Sequence, residues 1–199
     1  MGRPPAELTR EKMEQVLRVA RREFVKNGYR STRMDAIAAA ADVAKRTLYL
    51  WHKDKAGLFL ACVLEGARRF PVLSIDAQDG VEAALKAYAV ALARELASEF
   101  SYGMGLLIIR ETAEFPELAA ASKDTQRRYV IEPLAAYLRR HGLEAPASTD
   151  RTELLISMML TGVQRALLNG DPPPDPTAAE AHARLAVEVF LRGAAATGA

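Results

Sequence analysis

Residues 31–59 read STRMDAIAAAADVAKRTLYLWHKDKAGLF, and two short helices with a tight turn between them can be traced in this stretch. Thr32 opens the first, and Asp35, three residues on, completes a T-x-x-D capping pattern. Ile37, Ala38 and Ala41 form its inner face. Asp42-Val43 breaks it, and the second helix runs from about Ala44 to Leu50. Lys53-Asp54 is the next break, with Asp54 a good N-cap for a helix that carries Leu58, Phe59, Cys62 and Val63 toward Arg69. The small residues Ala38, Ala39, Ala40 and Ala41 let the two short helices approach closely, and Leu48 can plug the gap between them. This is a helix-turn-helix arrangement, in which the second helix lies in a major groove while the first crosses the backbone. Lys45, Arg46, Thr47 and Tyr49 face outward from the second helix and bring the groups that reach phosphates and base edges.

The flanking sequence is helical on both sides. Upstream, Met13, Val16, Leu17, Ala20 and Phe24 share one face of a helix over residues 7–27, which Asn27-Gly28 ends as a left-handed cap would. Downstream, residues 78–100 carry Val81, Leu85, Tyr88, Leu92 and Leu96 on one stripe. A short apolar helix is expected over 103–114, and another over 116–140 that Pro133 should kink or restart. A helix over 148–168 has Leu154, Leu155, Met158, Met159 and Leu160 as its core. The run Asp171-Pro-Pro-Pro-Asp-Pro176 is a hard stop, after which Thr177 caps a last helix to about Gly193 with Leu185, Val189 and Phe190 inward. The tail 194–199 is expected to be unstructured. No segment alternates apolar and polar residues with a period of two. The fold class is therefore all-α, about nine helices: a three-helix head over residues 1–55 and a helical body over residues 56–199.

Charge separates the same two parts. The chain of 199 residues is half apolar and 26% charged, with a net charge of +2. Residues 1–60 hold 13 Lys and Arg against 7 Asp and Glu, whereas the remainder holds 14 against 18. A basic head on an acidic body suits a head that meets a polyanion. One cysteine, Cys62, allows no intrachain disulfide. No apolar run approaches a membrane span, and no secretory signal is evident, so a cytoplasmic protein is expected. His52, His141 and His182 are far apart and lack metal-ligand spacing, so neither a metal nor a cofactor is expected. Glu111, Glu114 and Glu117 look like a solvated face, and no phosphate-binding glycine loop follows a strand, so the chain is not expected to be an enzyme.

The stretch also resembles the DNA-binding head of the TetR family of bacterial regulators. The resemblance rests on the Thr before the first short helix, Ile37-Ala38, Ala-x-Val43, Lys45-x-Thr47-Leu48-Tyr49, Lys55-x-x-Leu58, and the earlier Phe24 with Asn27-Gly28-Tyr29. The body is similar to an AefR-like subgroup through Phe115-Pro116-Glu117-Leu118-Ala119 and Pro133-Leu134-Ala135-Ala136-Tyr137-Leu138. The resemblance implies that Thr32, Arg33 and Lys55 touch phosphates, that Lys45, Arg46 and Thr47 face the groove, and that Tyr49 anchors a phosphate or a thymine methyl. Asp42 stands where the family usually has Gly, and Ala44 where it usually has Ser. His52 stands where the family has an aromatic, so Trp51 is expected to take over that packing or a backbone contact. An N-terminal arm, Gly2-Arg3-Pro4, could enter a minor groove.

The resemblance implies a repressor that binds a palindromic operator as a homodimer and is released by a small molecule. The alternative is a sequence-nonspecific DNA-coating protein, which would need no ligand-binding body. The dimer interface is expected on the last two helices, with Met158, Thr161, Arg165 and Phe190 as candidates and Gly162 allowing close approach. The effector is expected to be apolar or aromatic, because the 103–115 helix is apolar on more than one face. Its expected contacts are Tyr102, Met104, Leu107, Ile108, Glu111, Phe115, Met158 and Gln164, with Arg110 a further polar candidate.

Overall fold

The computed structural model describes residues 6–73, 80–145 and 148–196. Among them the chain is all helix: α1 (Ala6–Ser31), α2 (Met34–Ala40), α3 (Lys45–His52), α4 (Lys55–Ala67), α5 (Gly80–Ala97), α6 (Glu99–Glu111), α7 (Pro116–Gln126), α8 (Glu132–Arg140), α9 (Asp150–Asn169) and α10 (Pro176–Ala196). A π-helical turn, Arg127–Ile131, joins α7 to α8 without a break, so these three count as one helix of the expected nine. Pro133 lies just beyond that turn, in the first turn of α8. Proline donates no N–H, and the chain widens one turn before it instead of breaking. The Gly2-Arg3-Pro4 arm lies outside the described residues. The start of the tail differs from expectation: α10 continues through Ala196.

The chain divides into two compact units, one running up to Arg68 and including Gly103–Ser122, the other formed by Arg69–Tyr102 and the chain from Lys123 onward. In the first unit α1 packs on α2 and α4, α2 on α3, and α3 on α4. Val16, Ala20, Phe24, Ile37, Ala38, Leu48, Leu58, Phe59 and Cys62 are all buried there. Burial pushes the Cys62 thiol up to about 12, which leaves it an inert core group. Gly103 of α6 lies so close to α1 that a Cβ would stand 2.8 Å from Val25 Cγ1.

In the second unit α10 packs on α5 and α9, and α8 on α9. Their core includes Leu85, Tyr88, Leu92, Leu134, Tyr137, Leu155, Met159, Val187 and Phe190. Glu144 is buried and starts α9 by accepting from the Thr152 N–H at 2.8 Å and the Thr152 hydroxyl at 2.9 Å. These hydrogen bonds hold its carboxyl below the ordinary range, although burial acts the other way. Asp175, not Thr177, caps α10 by accepting from the Ala178 N–H at 3.0 Å.

Three residues read as inward from sequence are not. Leu154, Leu185 and Val189 are each more than half exposed. Each stands next to a buried neighbour, Leu155, Ala186 or Phe190, from which it is turned about 100° round its helix. Apolar character alone did not distinguish the two faces.

Candidate nucleic-acid interface

The turn between α2 and α3 is built on Asp42, which adopts φ 52°. Asp tolerates this left-handed conformation better than most residues, so glycine is not required here. Lys12 of α1 donates to the Asp42 carbonyl oxygen at 3.3 Å. α3 then starts at Ala44 with no side-chain cap, as the missing Ser foretold. Leu48 and His52 are its buried residues. Lys45, Arg46, Tyr49 and Leu50 are all exposed. With about 100° between successive residues, Arg46 and Leu50 lie opposite the buried pair, Tyr49 lies at the flank, and Lys45 is exposed as the first residue of the helix. Thr47 and Trp51 occupy the flank and are half-buried. His52, not Trp51, fills the packing position, and burial lowers its pKa below the ordinary 6.5. Its Nε2 has no hydrogen-bond partner.

Two of the cations expected to meet DNA, Lys45 in the groove and Lys55 at a phosphate, already have partners. Lys45 Nζ lies 2.6 Å from Asp35 Oδ2, so Asp35 serves as a counter-charge and not as part of a capping box. Thr32 is buried, and Arg33 is the actual N-cap residue of α2, without a side-chain bond. The Thr32 hydroxyl sits 2.6 Å from the Gly28 carbonyl oxygen and 3.1 Å from that of Glu23. The last carbonyls of α1 thus capture the hydroxyl that the start of α2 would have used. Lys55 Nζ donates to the carbonyls of Tyr29 at 2.8 Å, Arg30 at 3.1 Å and Thr32 at 3.3 Å, and lies 4.6 Å from the centre of the Tyr29 ring. Burial lowers its pKa.

The corner that Lys55 holds is also held from α6. Gly28 has φ 80° and ψ 162°, which ends the regular part of α1. Glu111 then accepts from the N–H groups of Tyr29 at 2.8 Å and Arg30 at 3.0 Å. A Cβ on Gly28 would stand 2.6 Å from Glu111 Oε1, so both the φ and this close approach call for glycine. Arg30 pairs with Glu114, and the Tyr29 ring meets Phe115 edge-on at 4.9 Å. Glu117 lies 3.5 Å from the Tyr29 hydroxyl, and burial with these carboxylates pushes that phenol up to about 12. The three glutamates read as a solvated face therefore all reach one corner of the first unit. Their spacing along the sequence gave no sign of this, because the partners, two backbone amides, a guanidinium and a phenol hydroxyl, lie some eighty residues away.

The residues expected to meet an effector fall into different surroundings. In the first unit Met104 and Leu107 are buried, Ile108 and Phe115 are half-buried, and both Glu111 oxygens are occupied as described. In the second unit the buried Tyr102 donates to the Asp171 carbonyl at 2.7 Å and packs with Ala97, Val163 and Ala166. Met158 packs against the main core of that unit, and Gln164 is exposed. Two groups were missed from sequence. Leu50 is 81% exposed on the outer face of α3. The Tyr88 hydroxyl is buried with no hydrogen-bond partner, and burial raises its pKa.

Residues 16–62 match the family described as bacterial regulatory proteins, tetR family, and residues 83–193 match the C-terminal domain of AefR-like transcriptional repressors. No curated protein matches the chain. A TetR-family transcriptional regulator from Mesorhizobium loti is similar, with 25% identity, a TM-score of 0.76, and coverage of 92% of this chain and 96% of that one. The flavonoid-responsive regulator FrrA is 26% identical with a TM-score of 0.71 and the same coverage of both chains. A TetR regulator from Agrobacterium tumefaciens, 23% identical with a TM-score of 0.73, shares the fold over 91% of this chain and 93% of its own. Matched over both its head and more than half its length, the chain belongs to the TetR family of transcriptional regulators, with an AefR-like C-terminal domain.

Proposed function

We propose that this DNA-binding regulator is a repressor, not an enzyme, working in the cytoplasm. It binds a palindromic operator as a twofold homodimer and is released by an apolar or aromatic small molecule. The observation that carries the DNA reading is that α3 leaves Lys45, Arg46, Tyr49 and Leu50 all exposed while Leu48 and His52 are buried. Arg33, Lys45, Arg46, Thr47 and Tyr49 are the proposed DNA contacts, with Trp51 at the flank. Thr32 and Lys55 act by holding the corner before α2, because their polar atoms are engaged there. The functional division is a head of residues 1–55 and a body of residues 56–199.

The buried, unpartnered Tyr88 hydroxyl supports an effector site in the body. Leaving such a group unsatisfied costs about 1–3 kcal/mol, which a ligand acceptor would recover. Tyr137 and Met159 of the same core offer aromatic and adaptable apolar contacts, and Met158 packs beside them. The flavonoid response in the name of FrrA also supports an aromatic effector. The apolar residues Met104, Leu107 and Ile108 make α6 the helix proposed to respond, with Glu111 passing its movement to the head.

The test selects binding duplexes from a random pool, then titrates the selected and a scrambled duplex across about 50–200 mM salt. The expected result is a palindromic consensus and a steep salt dependence. Equal affinity for both duplexes would favour the DNA-coating alternative and overturn the operator reading. A thermal-shift screen of aromatic compounds, flavonoids included, followed by duplex release, tests the effector half.

A further inference from the structure

We propose that Leu50 is a specificity-determining residue that reads the 5-methyl group of a thymine in each operator half-site. The inference rests on the DNA reading of α3 above. Among the described helical side chains Leu50 is the most exposed large apolar one, 81% against 75% for Leu168. It lies about 180° round α3 from the midpoint of the buried pair Leu48 and His52, and so projects farther from the packed face than any other residue of that helix. Arg46 stands one turn before it, about 40° away round the helix, and is exposed, as are Lys45 and Tyr49 on other sides of α3. A leucine held outward beside a cation is poorly served by water and by a uniformly anionic surface. The major groove is anionic at its walls, where the phosphates are, and carries apolar thymine methyls on its floor. Arg46 can take a guanine edge while Leu50 buries a methyl at a neighbouring base pair. Leu50 makes no hydrogen bond, so its information is confined to the presence or absence of that methyl.

The methyl can be removed without altering base pairing. The full-length protein is titrated against its selected consensus duplex and against duplexes in which each thymine in turn is replaced by deoxyuridine at symmetric positions. One symmetric pair should weaken binding by about fourfold per half-site, the worth of one buried methyl group. Leu50→Ala should bind thymine and deoxyuridine duplexes equally, and Leu50→Met, which keeps an apolar tip, should restore the preference. Circular dichroism and melting should be unchanged in both, since the side chain packs on little of the protein. Indifference of the unsubstituted protein to every replacement, or an undiminished preference in Leu50→Ala, overturns the proposal while leaving the operator reading intact. If selection yields no consensus, the operator reading itself fails, and this inference fails with it.

Discussion

Lys45 faces Asp35 across 2.6 Å in the DNA-free chain, and both side chains are substantially exposed. Such a pair stabilises the head by no more than about 1 kcal/mol. Its greater effect is on binding, because a phosphate approaching Lys45 must displace the carboxylate or endure it nearby. Asp35→Asn should therefore raise DNA affinity by a few-fold and leave the melting temperature nearly unchanged, as read by parallel titration and calorimetry; lower affinity would show that the pair positions Lys45 and does not compete for it. His52 poses the opposite balance. Burial holds its pKa below the 6.5 of a free histidine, so the folded head prefers the neutral ring. Stability from this source is present above pH 6.5 and is lost as pH falls through the folded pKa. His52→Phe restores an apolar ring at a buried site and removes a nitrogen without a partner. We expect it to raise the melting temperature of the head by several degrees at neutral pH and to flatten its decline under mild acid. An unchanged acid dependence would place the responsible group elsewhere.

Helices were legible where one residue's chemistry dictated the local backbone. Asp54 accepts from Gly57 N at 2.8 Å as an N-cap, and Asp42 takes the left-handed turn position, both readable from short-range sequence. Long-range partners were not legible. Thr32 had two possible clients, the start of α2 and the end of α1, and only the fold decides that Gly28 accepts its hydroxyl. Glu111 could be read as solvated or as a ligand contact, and it does neither in the free chain: it ties the end of α6 to the Tyr29 and Arg30 amides. The same corner receives Lys55 from α4, so two elements grip the segment that leads into the helix-turn-helix. Charge-assisted bonds of this kind contribute about 1.5–3 kcal/mol each. Glu111→Gln keeps the size but can offer only one strong acceptor. Hydrogen exchange should quicken about tenfold or more at the Tyr29 and Arg30 amides, with little change in α9. DNA affinity should fall as the orientation of α2 and α3 loosens. Unaltered exchange at those two amides would mean that the corner holds without the carboxylate.

At the scale of the molecule, four exposed apolar side chains of α9 and α10 fall into two stripes. Leu154 and Leu168 of α9 share a face with Thr161 and Arg165, as their spacing along the helix requires. Leu185 and Val189 of α10 form a second exposed stripe, and α10 packs directly on α9. Two of the dimer candidates taken from sequence belong elsewhere: Phe190 is buried in the core of its own unit, and Met158 packs against that core. The remaining pair, Thr161 and Arg165, joins the newly exposed leucines in a surface that a second copy could cover symmetrically. Two helices from each copy would then form a four-helix contact, with Gly162, which has open space where a Cβ would be, permitting close approach. Because these leucines are exposed within the protomer, charging them should not disturb its core. Leu154→Glu combined with Leu185→Glu should yield a folded monomer at micromolar concentration by light scattering. Its circular dichroism should remain helical, and its affinity for the selected duplex should fall by about a hundredfold or more as the second half-site is lost. A doubly substituted protein that still runs as a dimer would put the interface on another face, and an unsubstituted protein that is monomeric would remove the basis for expecting a palindrome.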